Sequence, residues 1–209
     1  FNPGGNPMDM AWYNGITYMI PWANNFLLRY DAEGNSIGNL NTPFRACGVA
    51  ASMEMGLLFV MDDGPRDIHI FEMDDEGGFA GGEIGRINTH RQLMNNQWCR
   101  NVEWVDAHAD GQLWIHSPNA LWQMAVDTDE WVATDLIQNL PNWGGNQEWG
   151  GVAHDGTNIW HGGYNRNEYI IIDDATVEMN WFAFEPEAGV VEAGAENEIF
   201  VYINGIGMQ

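Results

Sequence analysis

A hydrophobic strand ending in aspartate, preceded by a short polar turn, recurs four times along this chain. The copies are residues 25–31 (NFLLRYD), 67–74 (DIHIFEMD), 119–127 (NALWQMAVD) and 167–173 (NEYIIID). Their closing residues Asp31, Asp74, Asp127 and Asp173 stand 43, 53 and 46 residues apart. A strand-built repeat of that period is the signature of propeller blades, because one small sheet cannot bury its faces alone and must stack on neighbours around an axis. The chain is therefore read as all-β. It is a single β-propeller domain of four full blades, roughly 8–41, 47–88, 99–137 and 149–185, with part of a fifth at 188–209.

A second signal precedes each Asp-ended strand: a small-residue strand, a tight turn, then a strand centred on an aromatic residue. Asn14-Gly15, Asp110-Gly111 and Asp155-Gly156 are the clearest turns. Such dipeptides between apolar runs favour hairpins, since type I′ turns need positive φ at both central positions. Segments such as Gly48-Val49-Ala50 and Gly151-Val152-Ala153 suit the crowded axis. Tyr18, Phe59, Trp114, Trp160 and Phe200 then fill the space between neighbouring sheets. Weaker outer strands are expected near 36–40, 82–87, 130–134 and 178–183.

Residues 151–160 (GVAHDGTNIW), followed by 167–173, resemble the repeat of NHL-like and streptogramin-lyase-like propellers. The resemblance covers nearly the whole chain as architecture. It implies a fold shared by extracellular binding modules, scaffolds and a few lyases or hydrolases. No set of catalytic residues carries over from the lyases position by position, so it implies no activity. Two readings of the blade number stand. The chain is an ordered part of a longer protein whose further blades lie C-terminal, or a five-bladed ring with an incomplete last blade; the first is preferred.

Charge narrows the partners. The chain has 30 acidic residues against seven basic ones, no lysine, and a net charge of −23. Nucleic acid needs a cationic face and is excluded as a partner. A protein partner, basic or part of a larger complex, is favoured. No apolar run reaches the length of a transmembrane helix. The expected setting is periplasmic, cell-surface or secreted.

Cys47 and Cys99 occupy matching places just before the inner strands of consecutive blades. Two outcomes are open: a disulfide, which would imply an oxidising compartment, or two buried thiols. Asp106 and Asp110 have calcium-loop spacing but lack the later bidentate glutamate, with Ser117 at that place. They are weak calcium candidates, and no cofactor is expected. His116 and His161 fall out of step by one position relative to Trp114 and Trp160. Alternation along a strand turns them to opposite faces, which argues against a shared site.

Two stretches between blades, 88–98 and 138–149, join Asn and Gln to tryptophan and are read as surface loops. Trp98, Trp143 and Trp149 are the candidate partner-binding residues. Exposed tryptophan can anchor a protein or stack on a sugar ring, so carbohydrate stays open as a ligand; Trp98 and Trp149 can equally serve as structural plugs. Glu103 stands where the other inner strands carry Ala11, Ala50, Ala153 and Val191, which makes it the odd residue at the axis. Two functional readings remain. One is a non-catalytic binding or scaffold propeller docked on a partner. The other is a lyase or glycan-active hydrolase using the central funnel, with Glu103, His154 and Asp155 as its residues.

Overall fold

The computed structural model describes residues 7–22, 24–141, 150–162, 169–173, 182–185 and 200–203. Trp143, Trp149 and the expected inner strand of the fifth blade, 189–191, lie outside the described residues. Three four-stranded antiparallel sheets follow one another in chain order. The first holds β1 (Pro7–Tyr13), β2 (Ile16–Pro21), β3 (Phe26–Tyr30) and β4 (Ser36–Asn41). The second holds β5 (Ala46–Ser52), β6 (Leu57–Asp62), β7 (Ile68–Met73) and β8 (Phe79–Ile87). A single helical turn, α1 (His90–Leu93), leads to the third sheet of β9 (Val102–Trp104), β10 (Leu113–His116), β11 (Ala120–Asp127) and β12 (Val132–Pro141). A three-stranded sheet of β13 (Gly151–His154), β14 (Asn158–Gly162) and β15 (Tyr169–Asp173) makes the fourth blade. The four sheets form a ring, with β1, β5, β9 and β13 innermost and each packed beside the next.

The register explains the sequence pattern. Ala11 pairs with Tyr18, Ala50 with Phe59, Glu103 with Trp114 and Ala153 with Trp160. The same inner position therefore faces the same aromatic position in each of the four described blades, and among them only blade three puts a carboxylate there. Directly opposed residues share a face of the sheet, so a small residue leaves room for the ring across from it.

Alternation distributes the core. Along β6, Leu58 and Val60 pack with Tyr18, Ile20 and Leu27 of blade one. Leu57, Phe59 and Met61, on the other face, pack with Trp104, Leu113 and Ile115 of blade three. Phe59 stacks on Trp104 at 4.4 Å between centroids, and Trp131 meets Phe59 edge-on at 6.0 Å. Aromatic pairs of this kind add about 0.5–1.5 kcal/mol beyond their buried area. Trp114, Leu121, Val152 and Ile159 fill the space between blades three and four.

Several expectations are corrected. The outer strand of blade three runs through Pro141, so residues 138–141 are strand rather than loop. Gln138 is held there by its amide, which donates to Gln123 Oε1 at 2.7 Å. Of the segment expected as the outer strand of blade four, 178–183, only Phe182 and Ala183 are among the described residues, and they belong to β16 (Phe182–Glu185), which pairs with β17 (Phe200–Ile203) in a two-stranded sheet. Cys47 and Cys99 are buried free thiols. The Cys47 thiol donates to the Asp62 carbonyl at 3.3 Å and accepts from Arg66 Nη1 at 3.1 Å, while the Cys99 thiol lies 4.0 Å from Met61 Sδ. Burial pushes both thiols up to about 12. Of the two outcomes left open for these cysteines, the structure has the two buried thiols, so they give no argument for an oxidising compartment.

The closeness of the inner strands rests on Gly48. A methyl group there would sit 2.3 Å from the Arg100 carbonyl oxygen and 3.2 Å from Val102 Cγ1, across the gap to blade three. The carbonyl belongs to backbone and cannot swing aside. Gly48→Ala is expected to destabilise the fold by about 3 kcal/mol, in the range of overpacking. Gly81→Ala, with nothing within 4 Å of the added methyl, serves as the control and should change stability by less than about 0.5 kcal/mol. Urea denaturation midpoints of the two variants check this.

A candidate binding funnel

Four hairpin ends gather on one face. The Asn14 N–H of blade one donates to Met53 Sδ of blade two at 3.3 Å. Ser52 Oγ donates to Asp106 Oδ1 at 2.5 Å and the Glu54 N–H to Asp106 Oδ2 at 3.2 Å, joining blades two and three. The His108 and His154 rings, of blades three and four, lie 5.8 Å apart. Inside this circle opens a cavity of about 380 Å³ lined by Met10, Trp12, Ala51, Glu103, Ala153 and His154 among others. Every described inner strand contributes to it, so it is the axial funnel.

Glu103 and His154, two of the three residues named for the enzymatic reading, both line this funnel. Glu103 faces blade four, and the His154 backbone N–H donates to its carboxylate. Its Oε1 also accepts from the Trp104 N–H at 3.1 Å. Burial, then the charges of Asp9 and Asp106, push the Glu103 carboxyl well above its usual range, against the pull of those two N–H groups. Asp155 does not join them. It is exposed and caps its own turn, accepting from Thr157 and Asn158 N–H at 2.9 and 2.8 Å and from Trp160 Nε1. The Trp160 bond leads in holding its carboxyl below the usual range. The neighbouring residues His154 and Asp155 thus point to different tasks.

Asp106 is an inter-blade tie. Besides Ser52 and Glu54, it accepts from Trp104 Nε1 at 2.9 Å. Asp110 is exposed on the same loop. Among the described residues no group of three His, Cys, Asp or Glu side chains is placed to hold a metal ion.

One axial residue went unread in the sequence. Asp9 of β1 is only 8% exposed, and its Oδ2 accepts from the Val49 N–H of β5 at 2.9 Å and the Val102 N–H of β9 at 3.4 Å. Asn101 reaches back across the axis to the Met8 carbonyl at 2.8 Å. Burial is the dominant influence on Asp9 and raises it to about 7, although four hydrogen bonds favour the charged form. The signal was present in the sequence: an acid set inside the apolar run Met8-Asp9-Met10-Ala11-Trp12.

Trp98 lies on the opposite face, half-buried between two guanidinium groups. Arg66 and Arg100 sit 4.6 and 4.4 Å from its ring centroid, and Arg100 is also 5.0 Å from Trp22. Arg45 and Arg66 pair with the buried Asp63, with Arg100 at 3.9 Å. Trp98 is thus built into a packed cationic network.

His116 and His161 meet, contrary to the expectation from their register. Their ring centroids are 5.1 Å apart, and both rings are buried. The one-position offset is real, but its consequence is the reverse of the expected one. His116 shares the face of Trp114 that looks toward blade four, and His161 shares the face of Ile159 that looks toward blade three. Opposite faces of consecutive blades enclose the same gap.

No family model matches the sequence, and no curated protein matches it. Solved structures do. A structural-genomics protein of unknown function from Bacteroides thetaiotaomicron superposes on 81% of this chain with a TM-score of 0.55 and 14% identity. Glutaminyl cyclase from Myxococcus xanthus covers 79% of it with a TM-score of 0.53 and 12% identity. A streptogramin B lyase covers 83% with a TM-score of 0.47 and 14% identity. The chain spans 42%, 73% and 53% of those proteins respectively. At these identities the shared feature is the propeller fold.

The buried histidines predict acid sensitivity. Burial lowers His116 to about 3, with the neighbouring His161 adding to the effect, and lowers His161 to about 4. Their folded values lie below the ordinary value near 6.5. The stability they allow is therefore complete above that pH and is lost as pH falls toward 4 and 3. Asp9 and Glu103 act oppositely, because their raised values relieve the fold as pH falls. Comparison with His116→Gln isolates the histidine. Between pH 6.5 and 4 the wild type should lose stability more steeply than the variant, by up to about 1.4 kcal/mol per pH unit. Denaturant titrations at several pH values measure the slopes.

Proposed function

We propose that this chain is a non-catalytic binding β-propeller that docks a basic protein surface on its funnel face. One observation carries the reading: apolar side chains stand exposed around an acidic opening. Met10 and Trp12 are 51% and 58% exposed, and Met53 and Met55 are 47% and 36% exposed. Methionines adapt to irregular partners, and tryptophan supplies a large rigid anchor. Glu54, Asp110 and Asp155 are exposed on the same turns, which favours positive partners and suppresses negative ones. A net charge of −23 adds long-range steering toward a cationic surface.

This reading moves the anchor from the tryptophan loops of the sequence analysis to Trp12. Trp98 is committed to the arginine network, which leaves it less to offer a partner. The enzymatic alternative, a lyase or glycan-active hydrolase, keeps one supporting observation. Glu103 and His154 share the funnel, and a carboxyl whose burial raises its hold on a proton can act as a general acid. Against it stands Asp155, which is spent on its own turn rather than orienting His154.

Surface plasmon resonance against an array of basic and acidic peptides tests the docking. Binding should be confined to basic peptides and should weaken as salt rises from 50 to 500 mM, as screening requires. Trp12→Ala should weaken it by about tenfold or more, the range of an anchor residue. Trp12 is mostly exposed, so the fold should survive the change. Binding indifferent to both the salt and the substitution contradicts the proposal. Turnover of a glycan or lactone substrate that is lost in Glu103→Gln establishes the enzyme instead.

A further inference from the structure

We infer that the funnel accepts one cationic side chain of that partner, a guanidinium or ammonium on an extended stem, seated on Glu103 with the Trp12 ring at the rim. This rests on the docking face proposed above and names what enters it.

The first argument is counter-charge. Six of the seven arginines lie among the described residues, and none is near the funnel. Arg29 donates to the Gly77 carbonyl at 3.0 Å, Arg86 to Glu83 at 2.7 Å and Arg91 to the Pro65 carbonyl at 2.9 Å. Arg45, Arg66 and Arg100 gather round Asp63 on the opposite face. Asp9, Glu103 and Asp106 make no ion pair with any of them. A carboxylate withdrawn from water needs a cation or a proton. Among the described residues the fold supplies hydrogen bonds here but no arginine, so a proton stands in for the counter-charge until a cationic ligand replaces it.

The second argument is shape and lining. The cavity, about 380 Å³, falls at the small end of ligand sites. It suits one long side chain rather than a helix or a strand. Ala11, Thr17, Ala51 and Ala153 give it smooth walls, and Met10 and Trp12 border its opening. Aliphatic walls take the stem of an arginine or lysine, and an exposed tryptophan face attracts the charged head as it passes. An anionic group would be repelled by Glu103.

A proton is coupled to the binding. Before the cation arrives, Glu103 holds its proton more tightly than an ordinary glutamate, for the reasons given above. A cation seated on the carboxylate favours the ionised form, so binding drives the proton off to solvent. The other titratable groups facing Glu103 are Asp9 from β1, Asp106 from the β9–β10 loop and His154 from β13, with the His108 ring 5.8 Å from that of His154; β5 presents Ala51. Affinity for the cation should therefore rise with pH.

Isothermal titration calorimetry with Nα-acetyl-arginine amide, and with its neutral isostere Nα-acetyl-citrulline amide, tests this. Titrations at pH 6 and 7.5, in two buffers of different ionisation heat, count the released protons. The expected result is at least tenfold preference for the arginine compound, tighter binding at the higher pH and net proton release. Glu103→Gln should lose the preference and the proton release. Met10→Lys, which offers Glu103 an internal cation at an exposed position, should also block the compound and guards against a misfolded glutamine variant. Equal affinity for the two compounds, no binding of either, or an unchanged preference in Glu103→Gln overturns the inference. Basic peptides that still dock with equal affinity on Glu103→Gln overturn this inference alone. Failure of every basic peptide to dock overturns the parent reading as well.

Discussion

The axis of this molecule depends on a carboxylate that neighbouring inner strands share. Each inner strand is an edge strand: one side pairs within its own blade, and the other presents backbone N–H groups to the centre. Such groups cannot go unpartnered where water is scarce. Asp9 answers for two of them, at Val49 and Val102, from a third strand. Asn101 returns a hydrogen bond to the Met8 carbonyl. Three blades are thereby tied at a point, and the close approach at Gly48 follows from the same geometry. Burying the carboxyl raises its affinity for a proton, and its bonds to backbone N–H groups only partly offset that.

The same arrangement divides charge between the two faces. Three arginines, Arg45, Arg66 and Arg100, are collected on the face opposite the hairpin turns, where Asp63, Trp22 and Trp98 engage them. Asp9, Glu103 and Asp106 occupy the axis with no ion pair to an arginine among the described residues. In a chain with so little positive charge, this segregation leaves the funnel as the place with the strongest demand for an external cation. The fold and the proposed binding mode share one cause: acceptors were placed at the axis to satisfy backbone, and they carry charge with them.

The fold was legible because propeller blades repeat, and repetition shows which differences matter. The turn, the aromatic strand and the Asp-ended strand all fall where the period put them. Glu103 stood out because Ala11, Ala50 and Ala153 occupy the matching positions. Asp9 was missed because it lies before that compared position, although an acid among methionines was visible. The histidine pair was misjudged for a geometric reason. Face alternation was followed within each blade, whereas contacts form between the facing sides of two blades. Cys47 and Cys99 show that matched places bring residues to one neighbourhood without deciding their bonds. Each thiol found its own partners, at Asp62 and Arg66 and at Met61.

The central claim is that the axis is held by a desolvated carboxylate with no cation paired to it among the described residues. Carbon-13 NMR of the Asp9 side-chain carboxyl, followed from pH 3 to 9 in the intact protein, measures this directly. The account predicts a titration midpoint near 7, where burial places it. A midpoint in the ordinary aspartate range, near 3.9, would contradict it, because it would mean that water or a cation already reaches the group.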